Sequence, residues 1–175
     1  MQRQLIHKGA KFSFERLTLA GTDGKPLTRE VVRHPGAVVI VPILDTPQGP
    51  QIVFIKNWRI AIEDWLVELP AGTLEAGEDP AECAARELEE ETGYTAATIT
   101  PLGRFYTSPG LSDELMWAYA ARGLKNVGQK LEPDERVVVH PVKADHVIGM
   151  ITSGELVDGK SLAALLTAKE HGLLA

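Results

Sequence analysis

The segment AGTLEAGEDPAECAARELEEETGY, residues 71–94, gathers carboxylates at spacings that a helix would bring together. Glu87, Glu90 and Glu91 stand at i, i+3 and i+4, so on a helix they share one face. Each like-charge pair costs an isolated helix about 0.2–0.5 kcal/mol. The helix dipole adds to that cost, because these residues fall in the last half, near its negative end. A bound divalent cation reverses the sign of the penalty. An all-oxygen donor set suits Mg²⁺ or Mn²⁺ better than zinc. A solvated charged face is the plainer reading of any glutamate-rich helix.

The helix itself is signalled at both ends. Pro80 suits the first turn, where its missing N–H would be unpaired anyway. Asp79 precedes it as N-cap, and Glu82 three residues on completes a capping-box pattern. Gly93 suits a left-handed position after the last turn. These signals predict a helix over 80–92, with Ala81, Ala84, Ala85 and Leu88 as an apolar face small enough to lie close to a sheet.

The surrounding chain reads mostly as strands. KFSFERLTLA and LTREVVRH alternate apolar and polar residues on either side of the turn GTDGKP. They predict a two-stranded ribbon over roughly 1–34. AVVIVPIL (37–44) reads as a buried strand in which Pro42 points to an edge or a bulge. QIVFIK, WLVEL, ATITPLGRFYT, LMWAYAAR and RVVVHPV are further strands. Helices are expected over 143–154, with Val147, Ile148 and Ile151 on one face, and over 161–170, with Leu162, Leu165 and Leu166 apolar. Strands with helices between and after them predict an α+β fold, a mixed sheet covered by helices.

Bulk properties exclude several functions. With 44% hydrophobic residues, a real core can be buried in 175 residues. The net charge of −6 gives no basic footprint for nucleic acid or an anionic membrane, although metal ions can still mediate contact with a phosphate compound. The single cysteine, Cys83, excludes an intrachain disulfide and a multi-cysteine zinc site, and is expected to be a small buried residue. The histidines show no ligand spacing. MQRQLIHKGA lacks the apolar core of a signal peptide, and no run of apolar residues is long enough to span a bilayer. The expected setting is cytoplasmic.

The acidic segment matches the Nudix box, G-x5-E-x7-R-E-U-x-E-E-x-G-U with U a bulky apolar residue. Gly72, Glu78, Arg86, Glu87, Leu88, Glu90, Glu91 and Gly93 fill it, and Tyr94 takes the last U, where an aliphatic residue is more usual. The chain therefore resembles the Nudix hydrolase family. The resemblance implies a Nudix fold, a mixed β-sheet sandwiched between helices, here with an N-terminal β-ribbon. It implies Mg²⁺-dependent hydrolysis of a nucleoside diphosphate derivative, with Mn²⁺ as a substitute. Glu87 and Glu91 would be the main metal ligands and Glu90 a third ligand or a holder of water. The carbonyl of Ala71 would complete the set. Arg86, four residues from both Glu82 and Glu90, would neutralise the cluster and orient a glutamate.

WLVELPAG, YTSPGLSDE, RHPGAVVIVP, the Trp58–Arg59 pair and GKSLAALLTA resemble the ADP-ribose pyrophosphatase subgroup, as does Pro109, fifteen residues beyond Tyr94. That resemblance implies cleavage of ADP-ribose to AMP and ribose 5-phosphate. Another nucleoside diphosphate sugar (ADP-glucose, UDP-glucose, GDP-mannose) is the alternative substrate. A non-hydrolytic ADP-ribose sensor is the alternative class, opposed by the intact Glu87, Glu90 and Glu91. An enzyme for oxidised nucleoside triphosphates is disfavoured by Pro109 and the ribbon. Ser108, Pro109 and Gly110 would shape a loop against ribose or phosphate, although Pro109 also suits a plain turn. Glu114 would bond a sugar hydroxyl or stay solvated. Arg33 and Arg59 are candidates for the diphosphate or the terminal sugar, since guanidinium binds phosphate with paired donors; either could instead be a surface ion pair. Phe12, Phe14, Trp58 and Trp65 could stack on adenine, with core packing expected for any one of them. In KLEPDERVVVHPV the resemblance favours Glu135 as general base, then Glu132, with Asp134 also offered; a plain surface loop is the alternative. The resemblance also implies a homodimer: a ribbon subdomain over 1–34 that crosses to a partner, and a Nudix hydrolase domain over 35–175.

Overall fold

The computed structural model of the protein describes residues 1–131, 133 and 135–174. The chain begins with β1 (Gln2–Lys8), β2 (Ser13–Ala20) and β3 (Pro26–Arg33), which pair antiparallel in that order as a separate sheet. The ribbon thus has three strands, one more than expected. QRQLIHK hides its strand because Leu5 and Ile6 stand side by side, and the register shifts between Leu5 and His7, so strict alternation is lost.

The main sheet takes β4 (Ala37–Leu44), β5 (Gln51–Arg59), β6 (Asp64–Glu68) and β7 (Ala71–Thr73). After α1 (Pro80–Thr92) and the short β8 (Tyr94–Thr95) come β9 (Thr98–Tyr106), β10 (Leu115–Arg122), the short β11 (Lys125–Asn126) and β12 (Val137–Lys143). The order is β12-β5-β4-β10-β9, with β6 added to β5 and β7 to β4. Only β4 and β10 run parallel among these pairings. A 3-10 turn (Ala144–His146), α2 (Val147–Ser153) and α3 (Gly159–Glu170) close the chain.

Ala37 through Ile43 are all buried because β4 is central and covered on both faces. Val39, Val41 and Ile43 pack with Phe54, Met116, Ala118, Met150, Leu165 and Ala168 on the α2–α3 side. Val38 and Ile40 pack with Cys83, Ala84 and Leu88 of α1. Pro42 therefore sits in a central strand and not at an edge. Alternate residues of a strand face the same side, so its nitrogen shares the side of Ile40, whose N–H donates to the Pro70 carbonyl at 2.9 Å. There β4 changes partner, from β7 at Ala37–Val39 to β5 at Ile43 and Leu44, so no ladder bond is required of Pro42.

Helix α1 has the predicted limits. Asp79 accepts from the Ala81 N–H at 2.8 Å, and Gly93 takes φ 73° while its N–H closes on Glu89. Its buried stripe runs through Cys83, Ala84, Glu87, Leu88, Glu91 and Thr92. Ala85, expected on the apolar face, is exposed, because one helical step of about 100° carries it past the line through Ala84 and Leu88. Ile148 and Leu166 likewise face solvent, while Val147, Met150, Ala164, Leu165 and Ala168 form the contacts of α2 and α3. Cys83 is buried as expected. Among the described residues no helix is long and apolar enough to cross a membrane.

Candidate active site

A cavity of about 1110 Å³ opens between the ribbon, the start of the β5–β6 turn, β7, α1 and the segment entering β12. Ala71, Arg86, Glu87, Glu90, Glu91, Glu135, Arg33 and Arg59 all line it, so the fold brings these sequence candidates together.

The floor is made by α1 against β7. Glu87 and Glu91 lie one turn apart on the buried side of the helix, with 8% and 3% of their surface exposed. Glu91 Oε2 accepts from the Ala71 N–H at 2.8 Å. A strand residue turns its N–H and C=O to the same edge, so the Ala71 carbonyl also faces the box helix. The Glu87 carboxylate rests directly on Gly72, where an added Cβ would come 1.8 Å from its carboxyl carbon. A side chain at position 72 would therefore push the Glu87 carboxylate from its place.

Arg86 organises the rim. Its Nε and Nη2 donate to the two oxygens of Glu78 at 2.9 and 3.0 Å, a bidentate fork. Nη1 donates to Glu87 Oε1 at 2.7 Å and to Glu90 Oε2 at 2.9 Å. The hydrogen bonds from Arg86 hold the Glu78 carboxyl down at about 2. Burial raises Glu87 above the ordinary carboxylate range against the opposing pull of Arg86. Burial also pushes Glu91 up to about 8; the charges of Glu87, Glu68 and Glu135 add to the rise, and the Ala71 N–H opposes it. The Cys83 thiol is pushed up to about 12 by burial, so it is no nucleophile at neutral pH.

The donor chemistry fits a hard divalent cation. Three carboxylates meet one guanidinium at Arg86, and Glu91 lies buried behind them, so negative charge is in excess. Among the described residues no three acidic, histidine or cysteine side chains are grouped closely enough to hold a metal ion by themselves, and Arg86 Nη1 bonds both Glu87 and Glu90. The oxygens of Glu87, Glu90 and Glu91 with the Ala71 carbonyl are the set such a cation would use.

The remaining candidates are distributed less evenly. Arg33 is engaged by Glu15 and Asp113, each at 2.9 Å. Arg59 lines the cavity and also a second one of about 660 Å³ on the other side of β7. Glu114 belongs to that second cavity and accepts from the Thr107 hydroxyl at 2.5 Å. Ser108, Pro109 and Gly110 form an exposed turn that lines neither of the two. In that turn the Leu111 and Ser112 N–H groups close on the Ser108 carbonyl, and the Leu111 carbonyl then receives Val32 of β3. Phe12 and Trp58 line the first cavity, whereas Phe14 and Trp65 do not. None of the four packs in the core: Phe12 and Trp65 leave nearly half of their surface open, and Trp58 meets Trp65 edge-on at 5.9 Å. Their positions over the ribbon and the β5–β6 hairpin, outside both clusters, explain the departure from the expected core packing. Glu132 and Asp134 lie outside the described residues.

Sequence reasoning gave no role to Glu78, Glu68 or Lys160. Glu78 stood in the box pattern, and Glu68 was signalled only as a charge within an otherwise apolar strand.

The NUDIX domain family model matches residues 33–159. An ADP-ribose pyrophosphatase of Bacillus subtilis is 42% identical over 145 residues, covering 82% of this chain and 77% of that protein. An ADP-ribose pyrophosphatase of Mycobacterium tuberculosis is 37% identical over 173 residues, 93% of this chain and 79% of that one. A crystal structure of an ADP compounds hydrolase superposes with a TM-score of 0.83 over 99% of this chain and 95% of its own, at 21% identity.

Proposed function

The chain belongs to the Nudix family, and from that premise we propose that it hydrolyses the diphosphate of ADP-ribose to AMP and ribose 5-phosphate. The observation that carries the reading is the convergence of Glu87, Glu90, Glu91, Arg59 and Glu135 on one cavity. Nudix hydrolases generally use divalent metal ions; here we take the ion to be Mg²⁺, with Mn²⁺ as a substitute. Glu87, Glu90, Glu91 and the Ala71 carbonyl would hold it. When bound, such an ion offsets the charge of the diphosphate and raises the acidity of water at neutral pH.

The chain's own residues supply the rest. Arg59 presents a planar fork of donors to the diphosphate. Arg86 keeps Glu87 and Glu90 in place through its Nη1 while Glu78 grips its other edge. Glu135 lines the same cavity and lies close enough for its charge to act on both Glu87 and Glu91. It is assigned the general base: it takes one proton as water adds to a phosphorus, and the bridging P–O bond breaks to release the second monophosphate. Glu135→Gln is expected to lower kcat about 100-fold while ADP-ribose binding, read by calorimetry, persists. A parent rate in that variant would move the base elsewhere.

The ribbon supports a further part of the reading. Strand β1 is exposed along its whole length, and Leu5, Ile6 and Phe12 remain open. We take residues 1–34 as a dimerisation subdomain and 35–175 as the hydrolase domain of a cytoplasmic homodimer. Sedimentation is expected to give about twice the 19.0 kDa chain mass, and a fully active monomer would end this part of the reading.

The substrate is tested with a panel of nucleoside diphosphate sugars and Mg²⁺. Released phosphate is read after phosphatase treatment, which acts on the monoester products and not on the diphosphate. ADP-ribose is expected to have the highest kcat/KM. A higher value for another sugar would replace it, and no cleavage of any would make the protein a binder.

A further inference from the structure

Arg59 reaches the cavity from a support that lies behind it. Glu68 holds it, with Nη2 2.7 Å from Oε1 and Nε donating to Oε2 at 3.3 Å. The Arg59 side chain is 42% exposed, whereas that of Glu68 is fully buried. Oε2 of Glu68 also receives the ammonium of Lys160, which in turn lies 2.9 Å from Asp158 Oδ2. Asp158 caps α3, accepting from the Ser161 N–H at 3.1 Å and from its hydroxyl at 2.5 Å. The circuit closes where Ser161 Oγ accepts from the N–H of Leu69, the residue after Glu68, at 2.7 Å.

Two acids and two bases make this group charge-balanced, although the buried Glu68 Oε1 meets Arg59 Nη2 as an ion pair and not as a hydrogen bond. The group does not account for itself as stabilisation, because a buried ion pair is often no better than apolar packing of the same volume. What such an arrangement does supply is a fixed geometry. Glu68 takes the Nε and Nη2 side of the guanidinium and turns the Nη1 edge away from itself. Lys160 grips the same carboxylate, so Glu68 cannot follow Arg59 toward solvent.

We infer that Glu68 and Lys160 are positioning residues that set the place and orientation of the Arg59 guanidinium for the diphosphate of the substrate. The inference rests on the reading above that Arg59 meets that diphosphate. It also gives α3 a part in the site: the N-terminus of this helix, 92 residues from Glu68 in sequence, anchors the arm that Arg59 extends.

The experiment uses the full chain with Mg²⁺. It compares Arg59→Ala, Glu68→Gln, Lys160→Met, Lys160→Arg and the double variant Arg59→Ala/Glu68→Gln. Steady-state hydrolysis of ADP-ribose separates KM from kcat, calorimetry reads binding of the α,β-methylene analogue, and thermal melts report folding. Arg59→Ala is expected to raise KM about 30-fold, and Glu68→Gln and Lys160→Met about 10-fold, with kcat within about 3-fold of the parent. Lys160→Arg is expected to restore KM to within about 2-fold of the parent. With Arg59 already gone, Glu68→Gln should add less than about 2-fold, because it acts through Arg59. Parent-like KM and analogue affinity in Glu68→Gln and Lys160→Met would overturn the inference, as would a full Glu68→Gln effect in the double variant. Should Glu68→Gln melt below the assay temperature, the Lys160→Met and Lys160→Arg pair decides. An unchanged KM in Arg59→Ala sinks the assignment of Arg59 to the substrate, and the positioning role with it; that pattern differs from a failure confined to Glu68 and Lys160.

Discussion

Two arginines line one cavity, and their carboxylates balance differently. Arg86 faces Glu78, Glu87 and Glu90, with Glu91 buried behind, so one positive charge answers several negative ones. Arg59 shares Glu68 with Lys160, and Lys160 shares Asp158, so two charges answer two. The first group lacks positive charge; the second is balanced in charge as it stands. The contrast separates a cluster built to bind from one built to hold, even though both are made of the same residue types. Removing a carboxylate should therefore do opposite things to the fold in the two places.

The strongest way to break the contrast is to neutralise one acid in each. Glu87→Gln and Glu91→Gln are each expected to cut turnover by at least about 100-fold. Their melting temperatures in the absence of divalent cations should not fall, because a neutral amide carries no charge to be buried or repelled. Glu68→Gln should lower its melting temperature under the same conditions, because a buried cation loses its partner. A melt for Glu91→Gln that drops as far as that of Glu68→Gln would erase the distinction.

Gly72→Ala sharpens it by moving one acid without removing any charge. The new methyl group meets the far end of Glu87, which can swing aside, so the fold should survive. Turnover is expected to fall on the order of 30-fold from misplacement of that carboxylate. An unaffected rate would show that the place of Glu87 does not matter.

Added Mg²⁺ tests the charge excess directly. At a concentration well above its Kd it should raise the melting temperature of the parent by about 5 °C. Glu91→Gln should lose most of that gain. A parent melt indifferent to Mg²⁺ and Mn²⁺ would count against the donor set.

The last test is a pH dependence. In divalent-free buffer Glu91 is held at about 8, above the ordinary value of 4.5. Between those values the unfolded chain releases this proton and the folded chain keeps it. The contribution of Glu91 to stability is therefore whole below 4.5 and is lost as pH rises toward 8. Relative to Glu91→Gln, the parent should lose on the order of 10 °C of melting temperature between pH 5 and pH 8. A difference of the opposite sign would mean that Glu91 is already ionised in the folded protein.

How much of this was legible follows from the range of each interaction. The limits of α1 were readable because Asp79, Pro80 and Gly93 act on their own neighbours, and the shared face of Glu87, Glu90 and Glu91 follows from helical periodicity. The box pattern carried the family and the chemistry for the same reason, since its residues lie within one short segment. Strand β1 was missed where a bulge breaks alternation, and β7 because three residues carry no period. Pro42 pointed to an edge because a proline alone does not reveal that its neighbours change partner at that residue.

By itself the sequence determined which carboxylates could act together and where their helix begins and ends, since both depend on contacts within a few residues. Only the tertiary structure decided that Glu87 and Glu91 are the buried pair, that Gly72 yields its space to Glu87, and that Ser108, Pro109 and Gly110 turn away from both cavities. It alone joined Glu68 to Lys160 across 92 residues. Such pairings depend on the register of a mixed sheet and the docking of a C-terminal helix upon it. Those are settled by which faces the whole chain can bury at once, a condition that no local spacing encodes.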